Sequence, residues 1–92
     1  MTDIPQGGTA AVLAFLRERL AQGDACLRAG NARGAIVWYD SALAAHPRGG
    51  EAPELRETCH ALWHNKAVAH QQLREFVEAK EAELHAQRLS TR

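Results

Sequence analysis

Gly30-Asn31 lies between two stretches in which apolar residues recur at helical spacing, and it restricts the fold more than any other feature of the chain. Glycine readily takes the left-handed backbone that ends a helix, and asparagine is a favoured cap for the next one. Upstream, Val12, Phe15, Leu16, Leu20, Gly23, Cys26 and Leu27 recur at steps of three and four, while Arg17, Glu18, Gln22 and Arg28 fall largely outside that stripe. Downstream, Ala35, Ile36, Tyr39, Ala42 and Leu43 form a second stripe, with Val37 and Trp38 beside it. Pro47 ends that stripe, because its ring disfavours helical backbone at His46. Gly23 to Pro47 therefore encodes a helix, a tight turn and a returning helix. The expected spans are Ala10 to Ala29, capped by Thr9, and Ala32 to Ala45. The apolar surface of the second helix is wider than one neighbour covers, which predicts a place between two helices.

The remainder supplies one more unit of the same kind. Arg48-Gly-Gly-Glu-Ala52 reads as a loop, and Pro53 suits the first position of a third helix, with Glu54 and Glu57 near its positive end. Leu55, Cys59, Leu62, Trp63, Ala67, His70 and Leu73 give a stripe over 53–73, and Phe76, Ala79, Ala82, Ala86 and Leu89 give a fourth. No glycine separates these two. A turn is inferred at Arg74-Glu75, with one continuous helix from Pro53 to Leu89 as the alternative.

Composition limits the function classes. With 92 residues the chain makes one domain at most, in a size range where a single core gives only about 3–5 kcal/mol. Eleven basic and eleven acidic side chains cancel, so no net field draws the chain to nucleic acid or an anionic membrane. The most apolar run, Ala10 to Leu16, is too short to cross a bilayer, and the N-terminus lacks the pattern of a secretory signal. Met1 to Gly8 reads as a flexible lead-in to a single domain over 9–92, and a cytoplasmic location is expected. Cys26 and Cys59 fit no zinc spacing. If the two hairpins align, the cysteines are offset by eleven residues, about 16 Å at helical rise against the roughly 7 Å a disulfide spans, so both thiols are expected to be free.

The two halves can be laid on each other. In the first, Gly23, Ala35, Tyr39, Ala42 and Pro47 form the series small, small, aromatic, small, proline, with Gly30 between the helices. This resembles the tetratricopeptide repeat, a helix-turn-helix of about 34 residues with W-x2-L-G-x2-Y, then A-x3-F, then P. Arg19, Gln22 and Cys26 depart from the family at its tryptophan, leucine and tyrosine places. In the second half Trp63, Ala67, Ala79 and Ala86 match, Lys66, His70, Arg74 and Glu83 do not, and no proline closes the repeat. Ala35 and Ala79 are 44 residues apart (79 − 35), about ten beyond the family period, and the excess fits the loop and a lengthened third helix. Insertions of this kind occur in eukaryotic co-chaperones such as the large immunophilins. The resemblance implies an all-α fold, a right-handed αα superhelix of two such hairpins (four helices), with repeats at about 16–49 and 60–92. Small residues at 23, 35, 42, 67, 79 and 86 would let backbones approach, while Phe15, Tyr39, Leu62, Trp63 and Phe76 fill the layers between them. A three-helix bundle similar to microtubule-interacting and transport domains is the alternative fold.

In proteins of this family a peptide lies in a concave groove lined by the first helix of each repeat. The resemblance places Arg17, Leu20, Asp24 and Leu27 on that lining from the first repeat. Ala61, His64, Asn65, Val68 and Gln72 line it from the second. The expected function is thus a non-enzymatic interaction module that binds a peptide or helix of another protein. The co-chaperones grip a chaperone C-terminal carboxylate with lysines, asparagines and an arginine from three repeats. Leu20 and Asp24 stand at the first lysine and asparagine places, the third repeat is missing and only Asn65 matches, which argues against that ligand. Val77 and Leu84, seven residues apart and off the fourth stripe, predict with Leu89 an edge for self-association, so that a structural subunit of a homo-oligomer or larger assembly is the alternative.

Signals for chemistry are few. His60 and His64 lie one turn apart with Glu57 on the same side, but a fourth ligand is missing, and no metal or other cofactor is expected. Phosphate-loop, nucleophile-elbow and zinc-protease motifs are absent, and both cysteines fall on packing stripes, so an enzyme is not expected.

Overall fold

The computed structural model describes residues 8–47 and 52–90, which form four helices: α1 (Thr9–Arg28), α2 (Ala32–Ala45), α3 (Pro53–Gln72) and α4 (Phe76–Ser90). The described residues contain no strand. The expected loop at 48–51 and most of the expected N-terminal lead-in lie outside the described residues. α1 and α2 pack as one hairpin, α3 and α4 as another, and α3 also packs on both α1 and α2. α2 is therefore covered by α1 and α3, as its wide apolar surface requires. α3, with three neighbours, is the most enclosed helix.

Both hairpins turn in the same way. In the first, Gly30 has φ 84°, its N–H donates to Leu27 O at 3.0 Å, and the Asn31 N–H donates to Cys26 O at 2.8 Å. This is the paired bonding with which a helix ends on a left-handed residue. In the second, Arg74 has φ 61°, its N–H donates to Gln71 O at 3.0 Å, and the Glu75 N–H donates to His70 O at 2.8 Å. Each residue of the second turn stands 44 positions after its counterpart (74 − 30, 75 − 31), the offset that also separates Ala35 from Ala79. The break inferred at Arg74-Glu75 is a true turn, and helix α3 does not continue into α4. Asn31 caps α2 through its side chain, which accepts from the Gly34 N–H at 2.9 Å. Thr9, expected to cap α1, instead lies within its first turn, and Gly8 occupies the cap position without a side-chain bond.

The core follows the stripes. Leu16, Ala35, Tyr39, Ala42, Cys59, Leu62 and Ala69 are fully enclosed, joined by Ala32, Ile36, Leu43 and Leu55 at slightly greater exposure. All six small residues of the aligned repeats are buried: Gly23, Ala35, Ala42, Ala67, Ala79 and Ala86. Gly23 is needed as glycine, because a Cβ there would run into the Tyr39 ring. Phe76 does not fill the space between layers. It is 62% exposed, since it starts α4 on the side that α3 does not cover. Val37 is exposed too, on the part of α2 that neither neighbour reaches. Arg19, at the tryptophan place of the resemblance, keeps an aromatic contact: its guanidinium lies 4.8 Å from the Phe15 ring centre and 5.6 Å from that of Trp38.

Candidate functional site

The expected groove draws on α1 and α3, and the fold sets these helices side by side. One polar cluster joins them. Asp24 Oδ1 accepts from the Tyr39 hydroxyl at 2.6 Å and from Asn65 Nδ2 at 2.9 Å, so that α1, α2 and α3 meet on one carboxylate oxygen. A buried tyrosine hydroxyl needs a partner, and Asp24 supplies it. Burial, and next the hydrogen bond to Asp24, push the Tyr39 hydroxyl pKa well above its ordinary value of 10.0, so the group stays protonated and donates. Asp24 and Asn65 are thus tied to each other and to the core. Their roles are first structural.

The other expected lining residues divide by exposure. Leu20 and Leu27 pack against the core from α1, half-buried, as are Ala61 and Val68 on α3. Arg17, His64 and Gln72 are exposed. His64 Nδ1 lies 3.9 Å from a Glu83 carboxylate oxygen, and its ring stacks on His60 with centroids 6.4 Å apart. His60 Nδ1 donates to the Ala86 carbonyl at 2.8 Å, which fixes α3 to α4. Among the described residues no group of three or more His, Cys, Asp or Glu side chains is arranged to hold a metal ion. Cys26 and Cys59 are free thiols, and the buried Cys59 donates to His46 O at 3.1 Å. Burial pushes the Cys59 thiol pKa up to about 11, which leaves it a poor nucleophile near neutrality.

The α4 edge needs one correction. Val77 and Leu84 are exposed, at 70% and 46%, but Leu89 packs against the core and lines a depression of about 450 Å³ with Pro47, Trp63, His85 and Arg88. It sits half-buried on the same helical side as Ala82 and Ala86, toward α3. Phe76 takes its place in the exposed set, beside Lys80 and Leu84 in a second depression of about 350 Å³ at the seam of α3 and α4.

Two further contacts had no sequence signal that pattern reading could use. Trp63 stacks on His85 with ring centroids 4.1 Å apart while its Nε1 donates to Pro47 O at 2.9 Å, which ties α3 both to α4 and to the end of α2. Glu75 receives a paired hydrogen bond from Arg33, 2.6 Å and 3.3 Å, and a third from His70 Nδ1 at 2.8 Å. Arg33 and Glu75 are 42 residues apart, so only the hairpin stacking brings them together. No family model matches this sequence, and comparison with curated proteins and with solved structures finds no similar chain.

Proposed function

We propose that the chain is a non-enzymatic protein–protein interaction module of tetratricopeptide-repeat type, with two hairpins stacked as the start of a right-handed superhelix, that holds a peptide or helix of a partner protein against α1 and α3. The observation that carries this reading is the pair of identical turns 44 residues apart, with small residues buried at every aligned place. A repeated hairpin stacked on its copy presents the first helices together, and here they are joined through Asp24 and Asn65. The face they share combines half-buried Leu20, Leu27 and Val68 with exposed Arg17, His64 and Gln72. A few apolar positions flanked by hydrogen-bonding groups suit an extended or helical peptide. No described helix is long and apolar enough to cross a membrane. The proposed setting is the cytoplasm, without a cofactor and without nucleic acid.

The test is to identify a partner by affinity capture, then to measure its binding to the purified chain and to Arg17→Glu and His64→Glu variants. Both residues are exposed, so the thermal melt of each variant should match the wild type while affinity falls at least tenfold, about 1.4 kcal/mol. Unchanged affinity in both variants would rule out the groove. Asp24 is unsuited to this test, because replacing it removes the partner of Tyr39.

A second reading, a structural subunit that assembles through α4, is favoured by the exposure of Phe76, Val77 and Leu84.

A further inference from the structure

The 44-residue offset that relates the two hairpins also relates the interface inside the chain to two faces that are exposed among the described residues. Inside the chain, α2 packs on α3 in antiparallel register, set by Arg33 with Glu75, Asp40 with Lys66 (2.7 Å) and His46 with Cys59. α3 meets α2 through the side that carries Leu55, Thr58, Leu62, Lys66, Ala69 and Leu73, of which Leu55, Thr58, Leu62 and Ala69 are buried and the other two half-buried. Forty-four residues earlier, α1 carries Ala11, Ala14, Glu18, Gln22, Ala25 and Ala29, and every one of these is exposed. α2 uses Ala32, Ile36, Tyr39 and Leu43, with Asp40 at the rim. Forty-four residues later, α4 carries Phe76, Lys80, Glu83, Gln87 and Leu84, the same residues that line the open depression at the α3–α4 seam.

The two exposed faces are complementary in size. Where the internal register sets small Ala32 near Leu73, the shifted register sets large Phe76 near small Ala29. Where it sets Ile36 near Ala69, Lys80 comes to Ala25, and the Asp40–Lys66 rim pair becomes Leu84 beside Gln22. Glu18 falls opposite Gln87 in the last turn of α4. Bulk on α4 meets alanine on α1.

We propose that α1 of a second copy docks in the α3–α4 depression of the first, so that copies stack head to tail and continue the repeat across the chain boundary. The proposal rests on the repeat reading above. A head-to-tail interface uses different surfaces on the two partners and stays open at both ends, so it extends past two copies rather than closing as a symmetric dimer.

The experiment is sedimentation velocity with light scattering between about 10 μM and about 1 mM, the range in which weak non-obligate contacts appear. The wild type should rise in average mass beyond two copies. Phe76→Glu with Leu84→Glu blocks the α4 face; Ala25→Arg blocks the α1 face with bulk and a like charge against Lys80. All three positions are exposed or on an exposed edge, so helical circular dichroism should be retained. Each blocked chain should be monomeric alone, and an equal mixture should form a complex of two copies and no more, because each retains one intact face. A wild type that stays monomeric at the highest concentration, one that stops at two copies, or a mixture that stays monomeric would each overturn the proposal. Arg17→Glu, which touches neither docking face, should leave stacking intact, so loss of partner binding and loss of stacking are read on separate variants.

Discussion

In the first hairpin α2 drives Ile36, Tyr39 and Leu43 into the core, whereas at the places 44 residues later the second hairpin has Lys80, Glu83 and Gln87. What α4 buries is alanine: Ala79, Ala82 and Ala86. The cause lies in the number of neighbours. α2 is covered from two sides and needs two apolar surfaces, while among the described residues of one chain α4 packs on α3 alone and buries there one narrow stripe of small residues. The stabilising side chains are therefore concentrated at α1, α2 and α3, and the second hairpin closes mainly by near approach of backbones, the His60–Ala86 bond and the Trp63–His85 stack. Two copies of one turn thus carry unequal loads.

The largest difference should appear at the aromatic place. Tyr39→Ala removes a fully buried ring and should cost about 3–5 kcal/mol in denaturant unfolding, whereas Glu83→Ala at the matching place should stay within about 0.5 kcal/mol. Comparable losses at the two places would break the comparison. Tyr39→Phe keeps the ring and leaves Asp24 with Asn65 alone, so it should lose about 1–2 kcal/mol and separate packing from the hydrogen bond.

The small residues beneath that ring should differ next. Gly23→Ala puts a methyl against the Tyr39 ring and should cost about 1–3 kcal/mol, by strain rather than by lost area. Ala67→Gly, at the matching place, loses only helix propensity and a methyl, about 1 kcal/mol. A Gly23→Ala variant as stable as the wild type would show that the ring can move aside.

At the turns the sign reverses between hairpins. Arg74 holds a left-handed backbone that disfavours a side chain, so Arg74→Gly should raise stability by about 0.5–1 kcal/mol. Gly30→Arg, the mirror change, should lower it by about 1 kcal/mol. A loss on Arg74→Gly would mean that the arginine side chain contributes more than its backbone costs.

The four helices, including the turn at Arg74-Glu75, were legible in the sequence because apolar spacing, Gly30, Asn31 and Pro53 all act locally. The small buried places were legible too, since close helix packing needs small residues at fixed steps. What was not legible is which stripe lacks a partner. Phe76 fits the α4 stripe by spacing, yet it stands largely exposed at the open seam with α3, and Leu89, which the sequence places at an edge, turns toward α3. Of the residues in the proposed groove, the position of Arg17 and His64 in the open follows from helix phase. The engagement of Asp24 by Tyr39 and Asn65 depends on three helices meeting, which no local pattern reports.

The smallest expected effect belongs to Glu75, the residue that occupies the place of Asn31 in the second turn. Asn31 caps its own helix through Gly34, whereas Glu75 reaches back to Arg33 at the start of α2 and to His70 at the end of α3. The hydrogen bonds from Arg33, first, and from His70 hold its carboxyl below the ordinary value of 4.5. A carboxyl with a depressed folded pKa stabilises the fold above its unfolded pKa, and that contribution disappears as pH falls through the folded value. Thermal melts of the wild type should therefore lose stability below about pH 4.5 in part through this group, and Glu75→Gln should flatten that part of the slope while lowering the melt near neutrality only slightly, because the Arg33 pair is exposed to solvent. Asn31→Ala should instead lower stability by about 1 kcal/mol at every pH, since its cap carries no titrating group. If both variants shifted the melt equally across the whole range, the Glu75 link between the hairpins would count as a cap like Asn31, and the second turn would not add the cross-hairpin tie that the first one lacks.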